Sequence, residues 1–148
     1  MKLNRGVVII ICCLLGYASC SRNDRESQLR EVVEGFSTAY FNWQFRRAVP
    51  YCTDESVIWL RYAASQVHQE DVDILRAQEF GASHDIDDIW LEGDSAMVTV
   101  EVRNYLRMDT IGREGRMISE AAFRLPAVFR NGKWKVCLSG MPRAYRSK

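Results

Sequence analysis

Asn131-Gly132 lies between two runs of alternating apolar residues, and no other feature restricts the folding of these 148 residues as strongly. Both central positions of a type I′ turn need positive φ, which Asn and Gly adopt at least cost. A two-residue turn at this point pairs Arg130 with Lys133, Phe129 with Trp134 and Ala127 with Val136. Upstream, Ala121, Phe123, Leu125, Ala127 and Phe129 form one apolar row, and Val98, Val100 and Val102 form another. A period of two puts each row on a single face of a sheet. Both rows face the same core if Val102 pairs with Ala121 and Val100 with Phe123, a register that also sets Arg103 opposite Glu120 as a cross-strand charge pair. The connecting loop takes residues 108–115, with Gly112 and Gly115. Pro126 cannot donate to a ladder, so it predicts a bulge and a bend. A first strand over Ser83 to Leu91 turns at Gly93-Asp94, which pairs Ile89 with Val98 and sets Asp87 opposite Val100 on the apolar face.

Ahead of the strands the period changes. Leu29, Val32, Val33, Phe36, Tyr40 and Trp43 recur at three- and four-residue steps, one stripe of a long amphipathic helix. Phe41, Phe45 and Ala48 make a second stripe, and Pro50 ends the helix. Thr53-Asp54-Glu55-Ser56 caps a short helix to about Ala64, and Glu70, Asp71 and Asp73 load the start of another from Gln69 to Gln78. Helices and strands are segregated along the chain, which predicts an α+β fold. It consists of a long N-terminal helix and two short helices, packed in a bent four-stranded antiparallel meander.

The N-terminus follows a different logic. Lys2 and Arg5 precede the apolar run Val7 to Leu15, which is short for a bilayer span, and small residues follow. Tyr17-Ala18-Ser19-Cys20 resembles the lipobox of a bacterial lipoprotein signal, although Tyr17 stands where an aliphatic residue is usual. That resemblance implies a signal peptide over residues 1–19, lipid on Cys20, and a lipidated tether over 20–27. The domain itself then covers 28–142 and a tail covers 143–148. The implied location is the bacterial cell envelope, inner or outer membrane, with the membrane reached through lipid on Cys20. A plain signal peptide cut near Ser19 and an uncleaved anchor are the alternatives. Loss of Lys2 and Arg5 lowers the formal net charge by two, from +1 to −1. No basic block remains to attract nucleic acid. Cys52 and Cys137 are then the cysteines left within the domain, in an oxidising compartment; a disulfide between them and a pair of buried thiols both fit.

The order of elements, with Phe36, Tyr40 and Trp43 in the first helix and Phe129-Arg130-Asn131-Gly132-Lys133-Trp134-Lys135-Val136 in the last hairpin, resembles the NTF2-like (cystatin-like) superfamily. After a lipobox, it is similar to the small NTF2-like lipoproteins of unknown function. The resemblance implies a sheet wrapped round the long helix, with a pocket at the open end of the cone. It leaves open a binding module for a small apolar ligand or a protein partner, a small lyase or isomerase, and a self-associating scaffold or homodimer.

No catalytic, metal or cofactor motif stands out. Asp85, Asp87, Asp88, Glu92 and Asp94 lack the spacing of a calcium loop and read as a solvated edge strand. His68 and His84 are in neither metal nor triad spacing and read as surface residues. The pocket candidates are Tyr40, Trp43, Asp87, Asn104 and Ser119. Asp87 falls on the apolar face, where burial would raise its pKa and suit it to acid–base work, with Asn104 and Ser119 opposed on that face. A bulge turning Asp87 outward, with the other two at the rim, is the competing arrangement. Tyr40, Trp43, Trp59, Tyr62, Trp90, Tyr105 and Trp134 read mostly as core, with one or two at the pocket mouth. Met97, Tyr105, Ile118 and Val128 are the apolar residues expected on the outer sheet face.

Overall fold

Strict alternation builds the centre of the sheet. The computed structural model describes residues 5–108 and 113–145, with side chains from residue 21 onward. Strand β1 is Ser83–Glu92, β2 is Ser95–Arg107, β3 is Arg116–Arg130 and β4 is Lys133–Val136, hydrogen-bonded in the order β1-β2-β3-β4. A short β5, Ala144–Tyr145, pairs with β3 off that path. The β3–β4 hairpin has the expected register, with Phe129 opposite Trp134 and Ala127 opposite Val136. Asn131 and Gly132 carry φ of 53° and 75°. Between β2 and β3, Val100 meets Phe123 and Val102 meets Ala121, and Arg103 Nε lies 3.7 Å from Glu120. Arg103 also reaches Asp85 at 2.6 Å and Glu101 at 3.0 Å, so one guanidinium gathers three carboxylates on the solvent face.

Four helices precede the sheet: α1 (Arg5–Phe41), α2 (Phe45–Ala48), α3 (Val57–Ser65) and α4 (Gln69–Ala77). Short 3₁₀ turns occupy Val49–Tyr51 and Asp54–Ser56. Leu29, Val33 and Phe36 on α1 are fully buried against Val98, Val100, Val102, Leu125 and Trp134. Helix α1 touches β1, β2 and β4. Strands at the two edges of a four-stranded meander lie roughly 14 Å apart if the sheet is flat, at about 4.8 Å per step. A sheet that wraps around the helix brings both edges to it. Gly35 sits where a Cβ would lie 2.4 Å from the Tyr51 ring, so its bare backbone lets the segment after α2 close onto α1.

Several expectations need correction. The first helix does not run to Pro50. It stops at Phe41, and the chain reverses through Asn42 and Trp43 before α2. Residues 21–27 are helical, as part of α1. Arg25 there donates to Asp94 at 2.8 Å and Gly93 O at 3.3 Å, and lies 4.1 Å from the centre of the Phe129 ring. Within the stretch expected as a tail, Ala144 and Tyr145 form β5. Pro126 causes no register shift and pairs with Met97. β4 ends at Val136, just where the missing N–H of Pro126 would have been needed, and the Pro126 carbonyl accepts from Cys137 N at 2.8 Å. Cys52 and Cys137 are free thiols. Cys52 stands opposite Val136 in an isolated parallel bridge, which turns the next residue, Cys137, toward the other face.

Candidate functional site

The open end of the cone lies at the C-terminus of α1, and its shape follows from how that helix ends. Trp43 N donates to Tyr40 O at 3.0 Å and Gln44 N to Ala39 O at 2.8 Å. Those two bonds define a Schellman ending with Trp43 in the left-handed position, at φ 58°. That position normally holds Gly, because a Cβ there costs about 1–2 kcal/mol. The indole N–H donates to Leu106 O at 2.9 Å, and the ring lies 6.0 Å from Phe45. The strain holds a large aromatic side chain across the mouth of the cone.

Asn42 fixes the same corner. Its side chain accepts from Ala82 N at 2.9 Å and donates to Ala82 O at 3.1 Å, acting as a strand partner for the start of β1. Asp71 of α4 is 2 % exposed and accepts from Gly115 N at 2.7 Å and His68 N at 3.1 Å. This buried carboxylate ties α4 to the end of the β2–β3 loop. The acidic first turn of α4 was legible in the sequence, but that crosslink was not.

Beside the end of α1 lies a cavity of about 610 Å³, within the usual size range of small-molecule sites. Tyr40, Phe41, Trp43 and Phe45 line it from the end of α1 and from α2, and Trp59 and Tyr62 from α3. Tyr105 to Met108 and Phe123 line it from the sheet, and Ser139 to Ala144 cross it as a strap. The walls are an aromatic cluster in which Phe41 lies 4.6 Å from Phe123 and Tyr40 lies 5.5 Å from Phe45. Burial pushes the Tyr40 phenol well above its ordinary range, so it stays a neutral donor. Burial also raises Tyr105, with the neighbouring Arg107 charge pulling the other way.

Of the five pocket candidates, Tyr40 and Trp43 line this cavity, whereas Asp87, Asn104 and Ser119 do not. Ile86 pairs with Val100 and Asp88 with Thr99, so Asp87 is the extra residue of a bulge and is exposed. The sequence held the signal: Ile86 and Ile89 are three apart, and both can face the helix only if one residue between them is skipped. Asn104 takes φ 54° and is exposed, donating to Phe80 O at 3.0 Å, and Ser119 is exposed beside it. The same kink turns Tyr105 inward to 4 % exposure, so it does not belong to the outer face. Trp90 is 61 % exposed on the edge strand rather than in the core. His84 is half-buried, opposite Val102, and burial lowers its pKa against the opposing pull of Glu34 and Asp85. The lining residues Arg107, Met141 and Arg143 carried no periodic signal and were missed. The Cys20 side chain and residues 109–112 lie outside what the structure describes. Among the described residues no helix is long and apolar enough to cross a membrane.

The chain thus folds as a long helix wrapped by an antiparallel meander, with a cavity at the open end. Two solved structures align with the chain. One is described as an NTF2-like transpeptidase of Campylobacter jejuni, with 14% identity, 74% of this chain and 97% of that one covered, and a TM-score of 0.49. The other is an NTF2-like protein involved in plasmid conjugation, with 12% identity, 80% and 48% covered, and a TM-score of 0.38. No protein-family model and no curated protein matches the chain.

Proposed function

We propose that this chain is a lipid-anchored, extracytoplasmic NTF2-like module that holds a small apolar ligand in the mouth of its cone. The observation that carries the binding reading is the cavity itself. Its walls are predominantly aromatic and apolar, and its polar edges come from three phenols, a serine and two arginines. Neither a carboxylate nor an imidazole is among its described lining residues, and the base that a lyase or isomerase reading would use, Asp87, stands on the exposed bulge. An aromatic body with a few fixed polar groups is the usual make-up of a binding pocket. The anchor rests on Tyr17-Ala18-Ser19-Cys20.

Ligand-observed saturation-transfer NMR on the full-length chain, with the neutral probe 1-naphthaleneacetamide, tests the binding reading. The expected result is a transfer signal that Ala144→Trp removes by filling the cavity, while the folded spectrum is kept. An absent signal, or one unchanged by Ala144→Trp, would refute it. Acyl labelling in a bacterial host tests the anchor separately: Cys20→Ala should lose the label and the membrane association, and retention of both would refute it.

A further inference from the structure

The cavity has a charge pattern as well as a shape. Arg107 and Arg143 are the charged groups among its described lining residues, and both are exposed at the mouth. Arg107 also stands directly opposite Arg116 across the β2–β3 ladder. Like charges facing each other there are unfavourable, and none of these three arginines makes an ion pair among the described residues. The other arginines of β2 and β3 behave differently: Arg103 and Arg130 are both matched with carboxylates, and Arg124 lies 4.4 Å from the centre of the Tyr145 ring. Below the mouth, the Tyr40 phenol has no hydrogen-bond partner among the described residues and faces the cavity.

From this arrangement we infer that the ligand is a small organic anion, with an aromatic or alkyl body in the aromatic chamber and its carboxylate, sulfonate or phosphate head at the arginine-lined mouth, where Arg107 and Arg143 stand. The inference rests on the binding reading above and narrows it to a ligand class. Guanidinium forks are suited to oxyanions, and a charge-assisted bond is about twice as strong as a neutral one. An anion at the mouth also offsets the repulsion between Arg107 and Arg116. A neutral ligand would gain nothing from that offset, and a cationic one would add to the repulsion.

Three probes of one body separate the outcomes on the full-length chain: 1-naphthaleneacetate, 1-naphthaleneacetamide and 2-(1-naphthyl)ethylamine. The acid should bind about tenfold tighter than the amide, and the amine weakest. Raising salt should shrink the gap, because exposed arginines are screened. Arg107→Met with Arg143→Met should bring the acid to the affinity of the amide and leave the amide unchanged. The double variant should fold at least as well as the parent, because it removes a repulsion. If the amide binds as tightly as the acid, or the double variant keeps the preference, the anion inference falls while the binding reading stands. If the amide does not bind, the binding reading itself falls.

Discussion

Trp43 offers the sharpest test of how the mouth of the cone is built. It occupies the left-handed position of a Schellman ending at φ 58°, where a non-glycine residue costs about 1–2 kcal/mol. Trp43→Ala removes the indole and its bond to Leu106 O but keeps the Cβ, and so keeps the strain. Full burial would put Trp→Ala at about 3–5 kcal/mol, and a half-buried ring at roughly half of that. Trp43→Gly loses the same ring and the same bond but releases the strain. Glycine's extra freedom in the unfolded chain returns about 0.5–1 kcal/mol of that gain. The glycine variant should therefore be the more stable by about 0.5–1 kcal/mol, reversing the usual order of Ala over Gly. At an m-value of about 2 kcal/mol/M, its urea midpoint should lie roughly 0.3–0.5 M higher in far-UV circular dichroism. A glycine variant equal to or below the alanine variant would refute the left-handed ending, and with it the account of why an indole spans the mouth.

Three further outcomes are open to measurement. Trp134 is 1 % exposed with Phe129 at 5.3 Å, so Trp134→Ala should cost about 3–5 kcal/mol; Lys135 donates to Pro50 O, so Lys135→Ala should cost more than a free surface change but far less than Trp134→Ala, and equal losses in urea would contradict the hairpin register. Burial pushes the Cys52 thiol up to about 12, with Lys135 opposing and Cys137 adding, so iodoacetamide at neutral pH should modify Cys137 well before Cys52, and peptide mapping that finds both labelled at one rate would overturn this. His84 has its folded pKa depressed by burial, so the unfolded chain binds the proton more readily. Its share of stability is present above about pH 6.5 and lost as pH falls toward the folded value, and His84→Gln should flatten that part of a stability-against-pH curve; an unchanged slope would contradict the burial.

The sequence by itself determined the hairpins, because turn chemistry and a period of two act between neighbours. Asn131-Gly132 needs positive φ whatever surrounds it, and every pairing in the β3–β4 ladder follows from that one turn. It also determined which face of α1 is buried, since Leu29, Val33 and Phe36 repeat with the helical period. The candidate site was legible only in Tyr40 and Trp43, which belong to that same stripe. The remainder depended on contacts between residues far apart in the chain. The helix period alone would carry α1 to Pro50; it breaks at Trp43 because Leu106 O takes the indole N–H and Ala82 takes the Asn42 side chain, partners 63 and 40 residues away. The bulge at Asp87 is selected because Ile86 and Ile89 must both meet β2 on the helix side. The strap over the mouth has no period at all. β4 is too short to cover the first half of β3, so Ala144 and Tyr145 pair with Phe123 and Ala122 on the edge left open, and that brings Arg143 to the cavity. Local propensity is set by a few adjacent residues, whereas a pocket is enclosed by segments that meet only once the sheet has wrapped the helix.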